Sequence, residues 1–578
     1  MLINEIAQKT GISKKAIYIY ESKGLLKVQR RANRYREYTE KDEQRLNKIK
    51  LLRLAGISIA DIKLLFDNVV TINELTDKRK REIEKEFGSH SDQLSLCSRI
   101  IDSYKNKEYD EYKFSETDFE IASQINDGDV LAVGIDIGTT TISAAVINIT
   151  QKQQIEFYTI PNGCEVKSDG VFSEQDPNRI TEKVQKLADS VINGFPGVKS
   201  IGITGQMHGI LYVDKCGNAV SDFVTWQDKR GDIKCGGETY CEKIKRLTGL
   251  PVSTGFGFAT HFYNIENKNI SQNAVTFCNI ADYAAMRLTG NAKPIIHSSV
   301  AASFGLFDME GNRFETEKIK LLGESGISLP DVTDDFLVCG EYKGIPVSAA
   351  IGDNQASFLG SVDDLNNGIL VNIGTGSQIS AVKNGRFSEG NANEIRPLCK
   401  NKYIVCGSAL CGGQSFALTE KLFREFVKAS GGSDAAVYRT MNELAEKAFF
   451  ENRQPLKFRT TFKGTRQQPD LTAEIRSITD KNFTAGQMIL GVVYGICREL
   501  YDFFEDSEKT SVIASGNAVQ KNSVFGLVLK DIFKKPVKIS QQSEEAAMGA
   551  ALFSAVSANI LDGIGDFKDF IKYREVQL

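Results

Sequence analysis

Two segments of the chain share one pattern of apolar and polar positions. Residues 134–146 read GIDIGTTTISAAV and residues 370–382 read LVNIGTGSQISAV, so in each an apolar run leads into a small-residue turn and a second apolar run follows. This pattern predicts a strand, a tight hairpin and a second strand. The two copies align Asp136 with Asn372 across a separation the size of a domain, which predicts a duplicated α/β fold. Two unrelated β-hairpins would show the same local pattern.

Two further segments place polar residues at the end of an apolar run. Residues 200–214, SIGITGQMHGILYVD, predict a buried strand, a polar loop and a second strand. Residues 347–361, VSAAIGDNQASFLGS, place Asp353 between an apolar strand and a helix of small residues. In an α/β fold, a carboxylate in that position is held at the mouth of a cleft.

The C-terminal part of the chain repeats this arrangement. Residues 510–529 predict a strand that ends at Gly516 and Asn517, with Asn522 opening a helix, where a nucleotide base and ribose would lie against exposed backbone. Residues 543–556, SEEAAMGAALFSAV, predict a helix of small residues that packs closely on the sheet.

The first 26 residues have helical periodicity instead. Ile3, Ile6 and Ala7 recur at helical spacing, and Gly11 makes a turn. Ser13 then follows as the cap of a second helix. This is the pattern of a helix-turn-helix, whose second helix enters the major groove of DNA. The residues expected to contact DNA are Lys14, Lys15 and Tyr18 on that helix, with Arg30, Arg31, Arg34 and Arg36 after it for the phosphates.

Charge separates this basic head from the rest of the chain. Residues 1–70 contain 15 Lys and Arg against 8 Asp and Glu, a net charge of +7, while the whole chain carries −3, which leaves −10 on the remainder. A basic surface attracts nucleic acid. The alternative is that the head serves only dimerisation or docking and that its charge is incidental.

Composition places the chain among soluble multidomain proteins. Its 578 residues predict about three or four domains, and 41% hydrophobic with 25% charged residues is ordinary. No apolar run approaches the roughly 20 residues that span a bilayer, and the sequence MLINEIAQKT is unlike a signal peptide, so we expect a cytoplasmic protein. Eleven cysteines without a CxxC pair favour reduced thiols over disulfides or a zinc site.

The single tryptophan lies in TWQDKRG, residues 225–231. An aromatic ring beside a carboxylate, an amide and a guanidinium suits a sugar, which offers a face for stacking and hydroxyls for paired hydrogen bonds. The alternative is a core tryptophan next to a surface salt bridge. The Gly and Thr residues of the two hairpins suit phosphate oxygens, because Gly allows close backbone approach and the amides and hydroxyls donate.

The head resembles the DNA-binding domain of the MerR family. The matching stretches are INEIAQKTGIS at the start, YESKGLL at 20–26, NRYREYTEKD at 33–42 and LLRLAGISIADIKLLF at 51–66. The family usually has arginine where this chain has Tyr18, which removes one expected phosphate contact. The resemblance implies that the charged segment that follows pairs with its twin in a homodimer, although Gly88 and Ser89 interrupt it.

Residues 130–558 resemble the FGGY carbohydrate kinases, which share the actin and hexokinase fold. The motifs that carry the resemblance are GIDIGTTT, GQMHG, TWQDKRG, DYAAMRLTG, IGDNQA, NIGTGS, CGGQSF, ASGNAVQKN and EEAAMGAA, in that order. GQMHG is similar to the ketose kinases. Within these, TGFGFATHF at 254–262 and HSSVAASFGLFD at 297–308 are most similar to the sedoheptulokinases, whereas NIGTGS follows the general family pattern.

The resemblance implies a role for each motif. Asp353 would act as the catalytic base and Asp136 would hold Mg²⁺. The implied ATP-binding residues are Gly138, Thr139, Thr140, Thr141, Gly374, Thr375, Gly376, Gly412, Gly413, Gly516, Asn517 and Asn522. The implied ketose-binding residues are Gln206, Met207, His208, Trp226, Gln227 and Asp228, together with Asp353. His208 would act there as a hydrogen-bonding partner.

We therefore expect an all-α winged helix-turn-helix head joined to an α/β body of two actin/hexokinase-like (ribonuclease H-like) domains with a cleft between them. The expected boundaries are 1–72 for the head, 73–128 for a helical dimerisation segment and linker, 129–362 for the sugar- and phosphate-binding domain, and 363–578 for the nucleotide-binding domain. The expected function is ATP-dependent phosphorylation of a ketose, sedoheptulose above all, fused to a DNA-binding transcriptional regulator. The alternatives are a xylulose or other pentulose kinase, and a regulator whose kinase body only senses sugar.

Overall fold

The computed structural model describes residues 1–10, 12–30, 36–54, 57–87, 128–195, 197–383, 394–451, 456–465, 468, 470–504, 508–542 and 544–576. The predicted segment 73–128 lies outside these ranges from residue 88 to residue 127. None of the helices in the described ranges is both long and apolar enough to cross a membrane. All ten cysteines in these ranges are free thiols, as their spacing predicts.

The head is helical apart from one short pair of strands. Ser13 caps its second helix by accepting a hydrogen bond from the amide of Ala16, which confirms the predicted helix-turn-helix. The strand pair is antiparallel and forms the wing. The elements of the head are α1 (Ile3–Thr10), α2 (Lys14–Ser22), β1 (Gln29–Arg30), β2 (Arg36–Glu37), α3 (Glu40–Leu54), α4 (Ile59–Phe66) and α5 (Ile72–Phe87).

The first half of the body is built on one mixed sheet with helices around it. Its strands are β3 (Leu131–Ile137), β4 (Thr141–Asn148), β5 (Gln153–Pro161), β6 (Glu165–Ser168), β7 (Ser173–Gln175), β8 (Val198–Gly205), β9 (Leu211–Val213), β10 (Phe223–Val224), β11 (Lys234–Cys235), β12 (Glu238–Thr239), β13 (Thr276–Cys278), β14 (Ile295–His297), β15 (Phe307–Asp308), β16 (Arg313–Phe314), β17 (Asp331–Thr333), β18 (Val338–Tyr342), β19 (Ile345–Ser348) and β20 (Ile351–Gly352). Its helices are α6 (Pro177–Gly194), α7 (Tyr240–Thr248), α8 (Gly257–Glu266), α9 (Ile280–Thr289), α10 (Ser298–Ala301), α11 (Thr316–Ile319) and α12 (Asp353–Ser361).

The second half repeats this plan. Its strands are β21 (Gly368–Ile373), β22 (Ser377–Lys383), β23 (Glu394–Cys399), β24 (Lys402–Ala409), β25 (Lys457–Arg459), β26 (Glu474–Arg476), β27 (Ser511–Ser515), β28 (Val537–Ser540) and β29 (Tyr573–Glu575). Its helices are α13 (Gly413–Ala429), α14 (Tyr438–Phe450), α15 (Ala485–Asp502), α16 (Asn517–Lys521), α17 (Ser523–Phe533) and α18 (Glu545–Ser557).

The two sheets have equivalent topology, which confirms the duplicated fold. The first has the order β18-β19-β8-β3-β4-β5, with β20 also paired to β8, and the second has the order β23-β24-β22-β21-β27-β28-β29. In each sheet the first strand of the hairpin is antiparallel to the second and parallel to the strand on its other side. The two predicted hairpins therefore lie at the same place in the two lobes.

Helix α18 joins the lobes by backbone contact. A Cβ atom at Gly134 would lie 1.7 Å from the carbonyl oxygen of Ala547, and one at Gly202 would lie 1.9 Å from that of Ala550. A Cβ atom at Gly549 would likewise lie 1.9 Å from the carbonyl oxygen of Ala356 on α12. Only glycine allows this approach, so the small-residue helix predicted at 543–556 does pack closely on the first sheet.

We expect Gly202→Ala to destabilise the body. Its methyl group would overlap the main chain of α18, and main-chain atoms cannot rotate away, so the free energy of unfolding should fall by about 3 kcal/mol or more. Urea denaturation followed by circular dichroism measures this change. Gly565→Ala is the control, because nothing lies within 4 Å of a Cβ there. Equal denaturation midpoints for the two variants would contradict the close packing of α18.

Candidate active site and DNA-binding surface

The candidate catalytic residues meet where parallel strands end. Asp136 on β3 is in register with Thr204 on β8, and Thr204 is also in register with Ile351 on β20. The hydroxyl of Thr204 donates to the carbonyl oxygen of Ile351 at 2.7 Å, which fixes β20 against β8. Asp353 begins α12 two residues later. Asp136 and Asp353 therefore lie at one edge of the first sheet, the usual position of a ligand site in α/β folds.

Burial changes the acidity of both carboxyl groups. It raises the pKa of Asp353 to about 6, against the opposing effects of Arg396 and of the amide of Asn354, which donates to the carboxylate at 2.7 Å. Burial raises the pKa of Asp136 to about 8, and the negative charges of Asp353 and Glu544 add to that rise. Oδ1 of Asp136 is buried and has no hydrogen-bond partner among the described residues. The site thus carries more negative charge than its own residues compensate.

This imbalance fits a divalent cation. A carboxylate oxygen that is buried and unpaired is the ligand type that Mg²⁺ prefers, and a bound cation would keep Asp136 ionised. In the described part of the chain no three His, Cys, Asp or Glu side chains are arranged to hold a metal by themselves. A cation at Asp136 would therefore depend on phosphate oxygens and water for its other ligands.

Trp226 links the candidate sugar residues to the first phosphate hairpin. Its ring is 46% exposed, so the alternative of a core tryptophan is wrong. The indole Nε1–H donates to Oγ1 of Thr139 at 3.0 Å, and this hydroxyl donates to Oε1 of Gln206 at 3.2 Å. The ring face remains available for stacking on a sugar, while its edge is fixed beside the hairpin.

His208 is held in an unusual backbone conformation. Its φ is 72°, in the left-handed region that costs energy for any residue except glycine. Its amide donates to Oγ of Ser303 at 3.0 Å, and its ring stacks on Phe256 with centroids 4.4 Å apart. Nδ1 lies 2.8 Å from the carbonyl oxygen of Ser303, which can only accept, so Nδ1 carries the proton. In the neutral ring, Nε2 is then an acceptor suited to a sugar hydroxyl.

Other residues expected in the sugar pocket have different surroundings. Met207 is buried, and its Sδ lies 2.8 Å from the Cβ position of Gly352, directly before the base. Asp228 is fully buried, and its oxygens accept hydrogen bonds from the amide of Ser173 and from Arg230. Its carboxylate is therefore already occupied by protein donors and shapes the loop.

Gln206 and Gln227 differ in exposure. Gln206 is buried and donates through Nε2 to Oε1 of Gln175 at 2.9 Å. Gln227 is exposed. The loop that carries Gln206 is fixed by Asn279, whose Nδ2 donates to the carbonyl oxygens of Gln206 and Gly209, each at 3.0 Å.

The expected nucleotide residues of the second lobe come together. The amide of Gly413 donates to the carbonyl oxygen of Gly374 at 2.7 Å, and a Cβ atom at Gly412 would lie 2.4 Å from the carbonyl oxygen of Gly376. Gly516 has a φ of 90°, and its Cβ position lies 2.6 Å from the carbonyl oxygen of Ile373. The segments 374–376 and 412–413 and Gly516 therefore lie side by side through backbone contacts, with Thr375 and Gly376 exposed.

The remaining residues expected at the nucleotide lie at the edges of this arrangement. Thr140 and Thr141 are exposed at the tip of the first hairpin, and the carbonyl oxygen of Gly138 accepts a hydrogen bond from Asn162. Asn517 is exposed at the first position of α16. Asn522 caps α17 by accepting from the amide of Val524, and its Nδ2 is buried without a hydrogen-bond partner.

The candidate DNA-binding surface is the exposed face of α2. Lys14, Lys15 and Tyr18 are all exposed there, while Ala16, Ile17, Ile19 and Tyr20 are buried. Arg36 on the wing reaches across to this face: its guanidinium lies 4.7 Å from the centre of the Tyr18 ring and donates to Glu21 at 2.6 Å. Arg30 lies on the other wing strand. Arg31 and Arg34 lie outside the described residues.

Two family models match the chain. Residues 131–360 match the N-terminal domain of the FGGY family of carbohydrate kinases, and residues 1–69 match the MerR helix-turn-helix regulatory proteins. The chain therefore carries a MerR-type helix-turn-helix domain at residues 1–69 and the N-terminal domain of an FGGY carbohydrate kinase at residues 131–360.

Individual relatives match about three quarters of the chain. A sedoheptulokinase from Mus musculus is 26% identical over 469 residues, which is 73% of this chain and 96% of the relative. A gluconate kinase structure from Lactobacillus acidophilus superposes with a TM-score of 0.67 at 18% identity and covers 77% of this chain and 93% of its own. A ligand-bound xylulose kinase from the same species gives a TM-score of 0.65 at 18% identity, covering 77% and 92%. At these identities the solved structures establish the actin/hexokinase-like fold of the body.

The MerR head of this FGGY kinase is docked on the first lobe. Lys23 pairs with Glu156 on β5 at 3.2 Å, and both side chains are largely buried. Nζ of Lys78 donates to the carbonyl oxygen of Thr159 on β5 at 3.1 Å, and Oγ of Ser190 on α6 donates to Asp67 at 2.5 Å. These contacts use Lys23 directly after α2, Asp67 directly after α4 and Lys78 on α5. Lys14, Lys15 and Tyr18 on α2 stay exposed beside them.

Sequence reasoning missed the residues that position the site. Ser303 and Phe256 hold His208, and Asn279 holds the GQMHG loop. Phe256 and Ser303 lie in the stretches 254–262 and 297–308 that carry the family resemblance, but about 50 or more residues from His208, so no local pattern assigns them this role. Asn279 has no sequence signal of its own. Glu544 lies in the EEAAMGAA motif, which by itself predicts only a helix. Its carboxylate accepts a hydrogen bond from Oγ1 of Thr159 at 3.0 Å, and its negative charge raises the pKa of Asp136.

Proposed function

We propose that this FGGY kinase transfers the γ-phosphoryl group of ATP to the terminal hydroxyl of a ketose, with sedoheptulose as substrate and sedoheptulose 7-phosphate as product. The observation that carries the proposal is the pair of partly buried carboxylates, Asp136 and Asp353, at one edge of the first sheet. The sugar assignment rests on the sedoheptulokinase relative and on the stretches at 254–262 and 297–308.

The proposed chemistry is a direct transfer. The carboxylate of Asp353 accepts the proton of the terminal hydroxyl as that oxygen forms a bond to the γ-phosphorus, and the bond from this phosphorus to the bridging oxygen of ADP breaks. Trp226 offers its ring face to the sugar, and Nε2 of His208 accepts a hydrogen bond from a hydroxyl. The backbone of segments 374–376 and 412–413 binds the phosphates and the nucleoside.

Asp136 is the residue proposed to hold Mg²⁺, with Thr139 and Thr140 beside it. When bound, the cation would neutralise charge on the β- and γ-phosphate oxygens. Asp353 itself then needs no contact with the cation to act as a base.

The first prediction concerns the substrate. The purified chain with ATP and Mg²⁺ should release ADP faster with sedoheptulose than with D-xylulose, D-ribulose or L-ketoses, as measured by kcat/KM in a coupled assay. A higher kcat/KM for a pentulose would contradict the assignment of sedoheptulose as substrate, while the assignment of a ketose kinase would stand. Absence of sugar-stimulated ADP release would favour a body that only senses sugar.

The second prediction concerns the base. Asp353→Asn should lower kcat by roughly 10²-fold or more, the scale for a positioned base, with fold and ATP affinity retained. Because only the carboxylate accepts a proton and its pKa is raised to about 6, the parent's kcat should fall as the pH drops through about 6. The exposed Asp480→Asn is the matched control. Activity of Asp353→Asn within a few-fold of the parent would contradict the assignment.

We further propose that the head binds a near-palindromic DNA site as part of a homodimer. Two heads on neighbouring turns of DNA multiply the discrimination of one, and binding should weaken steeply as salt rises. Ligand binding in the cleft would alter DNA binding only if it favours one arrangement of the heads. A route for this exists at β5, where Thr159 contacts Lys78 of the head through its carbonyl oxygen and Glu544 through its hydroxyl.

The third prediction tests the head. DNA selected from a random pool by the parent should bind Lys14→Ala/Lys15→Ala roughly tenfold or more weakly, because each base contact is worth about 1–3 kcal/mol. The exposed Lys481→Ala is the control. Footprints with and without sedoheptulose and a non-hydrolysable ATP analogue report on coupling. Failure of the parent to retain any DNA at low salt would leave the head as a docking module.

A further inference from the structure

Arg396 is a nearly buried cation beside the proposed base. It lies on β23, an edge strand of the nucleotide lobe, and is 9% exposed. The next residue, Pro397, accepts a hydrogen bond through its carbonyl oxygen from Nε2 of Gln355 at 2.9 Å. Gln355 lies two residues after Asp353 on α12, so this contact fixes β23 of the second lobe against the helix that presents the base.

Two further contacts fix α12 against neighbouring strands of the same sheet. Nδ2 of Asn354 donates to Oε1 of Gln378 on β22 at 2.6 Å, and the thiol of Cys406 on β24 donates to Oδ1 of Asn354 at 3.1 Å. Strand β23 also packs against the segment 298–304, which holds His208. Arg396 is therefore placed where the sugar side and the nucleotide side of the site meet.

The guanidinium is only partly used by its neighbours. Nε and Nη2 donate to the same oxygen of Glu394, at 3.2 and 2.5 Å. Among the described residues Nη1 makes no hydrogen bond, and the positive charge lowers the pKa of Asp353 without a direct bond to it. The charge is paired with Glu394, and Nη1 is left to complete its hydrogen bonds with a ligand.

An anionic oxygen is the ligand that matches these donors. The planar guanidinium suits phosphate oxygens better than single hydroxyls. In a transfer to a hydroxyl beside Asp353, the moving phosphoryl group passes between the segments 374–376 and 412–413 of the second lobe and this carboxylate. Donors placed at that point stabilise charge as the bond to ADP breaks.

We propose that Nη1 of Arg396 binds an oxygen of the transferring phosphoryl group and that Glu394 is the positioning residue for the guanidinium. This inference rests on the proposed kinase reaction. Asp353 takes the proton of the hydroxyl, the phosphoryl group moves from ADP to the sugar oxygen, and Arg396 exchanges no atom or electron.

A binding measurement tests the contact without turnover. MgADP with aluminium fluoride imitates the transferring group, so the parent should bind MgADP more tightly when fluoride and aluminium are present. In Arg396→Met the gain in MgADP affinity caused by aluminium fluoride should be at least tenfold smaller than in the parent. Its affinity for MgADP alone should stay within about threefold of the parent's. Arg246→Met is the matched control, because Arg246 forms a similar two-nitrogen pair with Glu238 on the exposed surface.

Kinetics with the best ketose separate the remaining roles. Arg396→Met should lower kcat by about 10²-fold or more with the ketose KM within about threefold. The kcat of Arg396→Lys should lie between the values for the parent and for Arg396→Met. Added guanidinium ion should partly restore the kcat of Arg396→Ala. Glu394→Gln should lower kcat less than Arg396→Met, without changing the ketose KM.

The opposing outcomes are distinct. A raised ketose KM with unchanged kcat and an unchanged aluminium fluoride gain would place Arg396 on the sugar and overturn the proposal. An unchanged gain in every variant would make the pair structural and overturn it, as would a parent that gains nothing from aluminium fluoride. A parent that gains affinity but phosphorylates no ketose would instead refute the proposed function and leave the phosphoryl contact supported.

Discussion

The arrangement of this protein depends on backbone contact between helix α18 and the first sheet. Gly134 and Gly202 bring the helix so close that carbonyl oxygens of α18 occupy the space of missing side chains, and Gly549 does the same against α12. A buried apolar cluster spans this junction with residues from both lobes. The candidate catalytic edge lies on the sheet and helix that this packing fixes, so the geometry at Asp136 and Asp353 depends on how α18 is seated.

The candidate active site contains charged groups that its protein neighbours do not fully compensate. Asp136 and Asp353 are partly buried and have raised pKa values, and Arg396 is nearly buried with only part of its hydrogen-bonding capacity in use. Unpaired charges in a protein interior cost stability, and such cost is commonly kept where a ligand removes it. A cation bound at Asp136 would balance the negative charge of that carboxylate. Phosphate oxygens at Arg396 would accept the hydrogen bonds that its guanidinium leaves unused.

The head and the kinase lobe are joined by complementary charge. The basic head contributes Lys23 and Lys78, and the acidic body offers Glu156 and the carbonyl oxygen of Thr159. The same strand carries the hydroxyl that reaches Glu544, whose charge acts on Asp136. Strand β5 thus contacts both the head, through Lys78, and Glu544, although these residues lie far apart in the sequence.

The sequence by itself determined the elements and their order, because strands, caps and hairpins depend on neighbouring residues. The two hairpins, the helix-turn-helix capped by Ser13, and Asp353 at the first position of its helix all followed from local patterns. Only the tertiary structure decided which polar atoms remain available. The carboxylate of Asp228 accepts hydrogen bonds from Ser173 and Arg230, and the ring of His208 is oriented by Ser303. The charge of Arg396 acts on Asp353, although the two residues lie on elements that are separate in the sequence. These outcomes depend on hydrogen bonds between residues that only packing makes neighbours, and no local pattern encodes them.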